Sequence, residues 1–170
     1  MQEFASSFVS GLAHPLHGAD HLVATVAVGV WGAIAGGRAI RVWPIAFVVT
    51  MLAGFATAAA GLAVPLVEPA IWSSVVVLGL LVALAARASL WSGAAIIGLF
   101  AFFHGHAHGT EAASVSLIGY ASGLAIATGS LHAAGIGLCS AASGSGGTVA
   151  LRSMGAVAAL GGILAMVALT

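Results

Sequence analysis

The segment WPIAFVVTMLAGFATAAAGL, residues 43–62, contains no charged side chain and decides the class of this protein. An α-helix of this length extends about 30 Å at 1.5 Å per residue, which matches the hydrocarbon core of a bilayer. The rest of the chain has the same character, because 61% of its 170 residues are hydrophobic and only 5% are charged. A soluble domain has about 25% charged residues. The sequence therefore predicts an all-α integral membrane protein.

Five further apolar runs are long enough to cross a membrane as helices. They cover residues 17–36, 69–86, 90–109, 116–138 and 148–169. With residues 43–62 they predict six transmembrane helices in a single domain over residues 1–170. A shorter apolar piece, residues 4–13, is predicted to be a re-entrant or interfacial helix. No Lys or Arg precedes Arg38, so we expect that this piece is not a signal peptide.

The few charged side chains predict an orientation in the membrane. All four basic residues fall on one side of the predicted spans, namely Arg38, Arg41, Arg87 and Arg152. Basic residues accumulate on the cytoplasmic side of membrane proteins, so we expect both termini on the outer side. The acidic residues Glu3, Glu68 and Glu111 then lie at the outer edge. This arrangement leaves Asp20 as the one acidic residue inside a predicted span.

The composition also excludes several classes of function. Four basic and four acidic residues give a net charge of zero, so there is no basic surface for nucleic acid. The absence of lysine excludes a retinal Schiff base and a P-loop nucleotide site. A single cysteine excludes an intramolecular disulfide. Seven histidines are the unusual feature, because each ring needs a polar partner in a low-dielectric medium.

The first histidine motif is HPLHGADH, residues 14–21, at the outer end of the first predicted span. Pro15 suits the first helical position, which would let His14 fold over the helix end. His17, Asp20 and His21 are spaced i, i+3 and i+4, and would share one face of a helical turn. Imidazole and carboxylate suit divalent ions such as Ni²⁺, Co²⁺, Zn²⁺ or Fe²⁺. The motif therefore predicts a metal site, although His14 as a helix cap and Asp20 as a hydrogen-bonded anchor are simpler alternatives.

The second motif is FHGHAHGTE, residues 103–111, at the outer end of the fourth predicted span. His104, His108 and Glu111 are spaced i, i+4 and i+7 and would form one helical stripe. His106 would lie about 200° round the helix from His104, as a spectator or a water-facing ring. Both motifs start at the outer boundary and reach about 10 Å inward. We therefore expect them to meet in one site.

His132, in the fifth predicted span, would lie about 24 Å from the outer face. It could join the outer site if the helix broke at Gly129. The sequence favours a lower relay or exit ligand for the metal, and a hydrogen-bonded core histidine is the alternative.

With these residues identified, the chain resembles the HupE/UreJ family of nickel and cobalt permeases. The first-span motif HPxxGxDH of that family matches His14, Pro15, Gly18, Asp20 and His21. The fourth-span motif HGxAHGxE matches His104, Gly105, Ala107, His108, Gly109 and Glu111. A fifth-span pattern LHxxG matches Leu131, His132 and Gly135.

This resemblance implies a transport domain rather than an enzyme. The expected function is import of nickel, with cobalt as the alternative, across the bacterial inner membrane to supply urease or hydrogenase. Ni²⁺ would be the transported substrate, with Co²⁺ or Zn²⁺ fitting the same ligands. Cytoplasmic nickel metallochaperones are the expected partners besides the lipid bilayer.

Two other functions remain open at the level of sequence. One is haem held by His21 together with His104 or His108, although Asp20 and Glu111 are not haem ligands. The other is conduction of protons or ammonium through a histidine relay without metal.

Overall fold

The computed structural model describes residues 1–112, 116–142 and 144–168 of the chain. Within these ranges all regular secondary structure is helical, as the sequence predicts, and no strand occurs. The seven α-helices are α1 Gln2–Ala13, α2 Ala19–Ala35, α3 Ala39–Ala59, α4 Val67–Ala83, α5 Leu90–Glu111, α6 Leu117–Ala141 and α7 Ser145–Ala168. A short 3-10 turn, His14–Leu16, connects α1 to α2.

Membrane-spanning capacity differs among the helices. In the described ranges, α3, α5, α6 and α7 are each long and apolar enough to cross a membrane. The pair formed by α1 with its turn and α2 passes the same test, but is bent by 80°, as in a broken span or a re-entrant loop. Helices α2 and α4 have 17 residues each, or about 25 Å. The structure thus provides four clear spans, or five with the bent pair, and does not confirm the predicted six.

The bend between α1 and α2 has a local cause. Gly18 is extended, with φ −100° and ψ 116°, and α2 begins at the next residue. His17 therefore ends the preceding turn instead of starting α2. The prediction that His17 shares a helical face with Asp20 and His21 is wrong, because the helix needed for that spacing is interrupted at Gly18.

Glycines bring neighbouring helices into backbone contact. A Cβ atom on Gly105 of α5 would collide with the Met51 carbonyl of α3, and one on Gly54 of α3 would collide with the Phe102 carbonyl. Such close contacts maximise van der Waals packing, which drives helix association in lipid. Helices α3 and α5 therefore form one tightly packed unit, the α3–α5 block.

The same kind of contact joins α6 to both N-terminal helices. A Cβ atom on Gly123 of α6 would collide with the Phe8 carbonyl of α1. One on Gly29 of α2 would collide with the His132 carbonyl of α6. These three helices form a second unit, the α1–α2–α6 block. Helix α7 packs mainly on α4, where a Cβ on Gly155 would lie 2.7 Å from the Gly79 carbonyl.

Two tryptophans occupy the end of the bundle that carries the arginines. Trp31 of α2 and Trp43 of α3 are fully buried, and their ring centroids are 4.2 Å apart. The Trp31 indole N–H donates to the Ala86 carbonyl at 2.8 Å, and that of Trp43 donates to the Leu90 carbonyl at 2.9 Å. Ala86 lies in the connection between α4 and α5, and Leu90 is the first residue of α5. This end of the bundle is closed by aromatic packing, and the histidine motifs lie at the other end.

Candidate metal centre

The two histidine motifs meet at one end of the bundle, as the sequence predicts. His14 Nε2 lies 2.9 Å from Glu111 Oε2, and His108 Nδ1 lies 3.9 Å from the same oxygen. The ligand atoms of these three residues fall within 4.8 Å of one another, so they could hold a metal ion together. They come from chain segments more than 90 residues apart, which only the tertiary fold can bring together.

His21 and His104 extend this group deeper into the bundle. The His21 ring centroid lies 4.5 Å from that of His108 and 4.7 Å from that of His104. The His14 and His108 centroids are 4.8 Å apart. Four imidazoles therefore form one continuous group with two carboxylates at its edge. We call it the histidine cluster: His14, Asp20, His21, His104, His108 and Glu111.

Asp20 orients His21 within the cluster. His21 Nδ1 donates to Asp20 Oδ1 at 3.0 Å, which places the ring proton on Nδ1 and leaves Nε2 with a free lone pair. A carboxylate that fixes the tautomer of a metal-binding imidazole in this way is common in metal sites. Gly18 makes room for the pair, because a Cβ there would lie 2.8 Å from Asp20 Oδ1 and 3.0 Å from His21 Nδ1.

Ser74 of α4 orients the His104 ring through a hydrogen bond, as Asp20 orients His21. The Ser74 hydroxyl donates its one proton to the Ile71 carbonyl at 2.6 Å. It must therefore accept from His104 Nε2, which lies 2.8 Å away. His104 Nδ1 is left as the atom with the free lone pair. Sequence reasoning missed Ser74; its one signal is a hydroxyl within an apolar run, which Ser73 also provides.

Three ring nitrogens of the cluster are buried and lack a hydrogen-bond partner within the described ranges: His21 Nε2, His104 Nδ1 and His108 Nδ1. Buried polar atoms in folded proteins are nearly always paired. Bare imidazole nitrogens are ligands for borderline divalent ions, and two carboxylates would partly neutralise the charge of such an ion. The donor set therefore fits a divalent transition metal.

Tyr120 of α6 is a second neighbour that sequence reasoning missed. Its ring centroid lies 5.8 Å from that of His14, and it stacks on Phe55 at 6.1 Å. The signal available was its uniqueness, since the chain has one tyrosine. Its ring forms the wall of the cluster beside His14.

The remaining sequence candidates lie outside the cluster. His17 is exposed, and its Nδ1 donates to the Ala13 carbonyl at 2.9 Å. His106 lies on the other side of α5, as predicted, where its Nε2 donates to the Leu62 carbonyl at 2.9 Å. Only 4% of His106 is exposed, which contradicts the water-facing alternative.

His132 also stays apart from the cluster. Helix α6 is continuous through Gly129, so the break that would bring His132 to the outer site does not occur. Its ring is in T-shaped contact with Phe47 of α3, with centroids 5.0 Å apart. His132 is therefore a separate buried histidine deeper in the bundle.

Comparison with known proteins covers almost the whole chain. A family model described as HupE / UreJ protein matches residues 1–165. The chain is 42% identical over 164 residues to "Protein HupE" of Rhizobium leguminosarum bv. viciae, an alignment that covers 96% of this chain and 86% of that relative. No solved structure matches this chain.

Proposed function

The chain belongs to the HupE/UreJ family, and from this premise we propose that it imports nickel across the bacterial inner membrane, with cobalt or zinc as the alternative cargo. The family is one of transporters associated with nickel and cobalt, not of enzymes.

The observation that carries the proposal is the group of bare imidazole nitrogens beside two carboxylates. In the proposed site the ion is bound first by His14, His108 and Glu111, whose ligand atoms lie within 4.8 Å of one another, and then by His21 and His104 as successive ligands. Asp20 acts through His21 by fixing its tautomer and supplying negative charge. His17 is outside this ligand set because it is exposed and its ring donates to a backbone carbonyl.

The exposure of the ligands gives the site a direction. The Glu111 side chain is 55% exposed and that of His14 is 35% exposed, whereas those of His21 and His108 are 15% and 3% exposed. A hydrated ion would first meet the carboxylate and then exchange water for imidazole. Neutral imidazoles with few fixed charges bind without holding the ion too tightly for release, which conduction requires.

In the proposed topology, helices α2 to α7 cross the membrane and α1 lies at the outer end. Four arginines at the closed end make that end cytoplasmic by the positive-inside rule. The histidine cluster and both termini would then be periplasmic. A membrane potential negative inside contributes about 4.6 kcal/mol per 100 mV to the entry of a dication, at 2.3 kcal/mol per charge. Imported nickel would pass to cytoplasmic metallochaperones for urease or hydrogenase.

The geometry argues against the haem alternative. The His21 ring lies 4.7 Å from that of His104 and 4.5 Å from that of His108 between centroids, so no porphyrin fits between His21 and either ring. A colourless purified protein is expected in the visible spectrum. If the protein instead conducts protons or ammonium without metal, the purified protein should bind no nickel.

Nickel uptake by cells that express the protein tests the proposal directly. We expect cell-associated nickel to rise above that of cells with an empty vector, and to return to that level with His21→Ala or Asp20→Ala. Equal membrane levels of each variant are the control. Unchanged uptake after both substitutions would contradict the assignment.

A further inference from the structure

His132 of α6 is buried in a way that protein stability alone does not explain. Only 1% of the residue is exposed, and neither ring nitrogen has a hydrogen-bond partner within residues 1–112, 116–142 and 144–168. Each buried polar atom without a partner costs stability, so a leucine of similar volume would suit an apolar position better. A side chain that costs stability and gains no internal contact is a candidate for a functional role.

The position of His132 relative to the histidine cluster suggests that role. The Phe47 ring of α3 contacts His104 at 6.0 Å between centroids and His132 at 5.0 Å. Among the described aromatic side chains, Phe47 is the one whose ring contacts both histidines. Phe47 therefore lies beside both His104 of the cluster and His132.

The surroundings of His132 differ from those of the cluster in charge and in space. The cluster holds two carboxylates, whereas His132 adjoins an open groove of about 240 Å³ whose other lining residues are Pro44, Ile45, Val48, Val49 and Gly129. The groove is on the surface of the bundle, because Ile45 and Val49 are 61% and 60% exposed. A dication held by one neutral imidazole among apolar side chains binds weakly. The groove leaves space beside the ring, so the His132 ring can move.

We propose that His132 is a second, weaker ligand position, which receives the metal from His104 after the Phe47 ring moves aside. The proposal rests on the function proposed above and adds a step to it. In this step the ion exchanges a His104 nitrogen for a His132 nitrogen. Binding at the cluster followed by weaker binding at His132 lets the ion continue toward the arginine-bearing end in two smaller steps.

The test separates binding from transport by using His132→Leu. Nickel binding to the purified protein is measured by titration calorimetry, and nickel uptake is measured in proteoliposomes that contain equal amounts of protein. We expect the initial uptake rate to fall at least tenfold while nickel affinity stays within twofold of wild type. We also expect the melting temperature to be equal or higher, because an unpaired polar group is removed.

His106→Leu is the matched control, since His106 is also a buried histidine but bonds to the Leu62 carbonyl away from the cluster. It should lower the melting temperature and leave uptake per folded protein unchanged. His132→Gln provides a second variant, with the same expected loss of uptake, if the leucine variant does not fold.

Two results would overturn the inference. Uptake within twofold of wild type would show that His132 takes no part in transport. A parallel loss of nickel affinity and melting temperature would assign it to the structure of the cluster. If the wild-type protein binds no nickel, the proposed function itself fails. If the wild-type protein binds and takes up nickel and the His132→Leu variant does so equally well, only the second ligand position is refuted.

Discussion

The Nε2 atom of His14 lies 2.9 Å from the Oε2 atom of Glu111, so the turn before α2 contacts the last residue of α5. The contact crosses from the α1–α2–α6 block to the α3–α5 block at the exposed edge of the histidine cluster. Glu111 is also the most exposed of the proposed ligands. It is therefore both the first group an incoming ion would meet and a link between two halves of the bundle.

Glu111→Gln should weaken nickel binding about 10- to 100-fold, the range seen when groups around a metal are removed. The amide keeps the shape of the side chain but loses the charge that attracts a dication. Calorimetric titration of purified protein measures the effect. Glu3→Gln, an exposed acidic residue at the start of α1, is the control and should bind as wild type. Equal affinity of the two variants would remove Glu111 from the ligand set.

Ser74→Ala should lower nickel affinity about tenfold or more although Ser74 touches no ion. Loss of the hydroxyl leaves the His104 Nε2 proton without its acceptor, and the ring can then rotate or change tautomer. Ser73→Ala is a matched control from the same helix, because the Ser73 hydroxyl bonds to the Pro69 carbonyl. The interpretation fails if both variants bind nickel equally well.

His17→Ala should leave nickel affinity and uptake within about twofold of wild type, a change of less than about 0.4 kcal/mol. The reason is structural: the His17 ring is exposed and donates to Ala13 before the extended residue Gly18. Calorimetry and uptake on the same preparation measure both quantities. A tenfold loss of affinity would restore His17 to the site and imply that the bend closes when metal binds.

Burial lowers the pKa of His14 below the ordinary imidazole value of 6.5, so nickel uptake should fall as the external pH is lowered from about 6.5 to 4.5. Imidazole must be deprotonated to bind metal, so protons compete with nickel for the cluster. Proteoliposomes with a fixed internal pH isolate the effect on the outer side. A rate that stays level or rises over this range would argue against histidine ligands at the entry.

Gly105→Ala should destabilise the protein by roughly 1–3 kcal/mol, because the added methyl would collide with the Met51 carbonyl of α3. Gly137→Ala is the control, since a Cβ there has no described atom within 4 Å. It should be neutral or stabilise α6 by up to about 1 kcal/mol, the difference in helix propensity. Thermal unfolding in detergent compares the two, and equal melting temperatures would refute the close packing of α3 on α5.

Much of the site could be predicted because it depends on helix geometry and on which ends of the helices lie together. His104, His108 and Glu111 lie within one continuous helix, so their spacing predicts one face. The meeting of the two motifs follows from an antiparallel arrangement of apolar runs.

The errors have local and tertiary causes. The i, i+3, i+4 spacing predicts His17 on the same helix as Asp20 and His21 only if that helix is unbroken. The extended backbone at Gly18 interrupts the helix between His17 and Asp20. Ser74 was not predicted because its role depends on the rotation of α4 against α5, which periodicity does not specify. The number of spans was not confirmed because α2 and α4 are 17 residues long, at the lower limit for crossing a bilayer.

The glycine contacts that define the two blocks have a mechanical consequence for a protein that binds metal between them. Backbone touches backbone inside each block, so neither can deform easily. The proposed ligands are divided, with His14 and His21 in one block and His104, His108 and Glu111 in the other. A bound ion would therefore tether two stiff bodies. The loaded protein should exchange its amide hydrogens more slowly where α2 and α6 pack on α3, the contact between the two blocks, than the metal-free protein does.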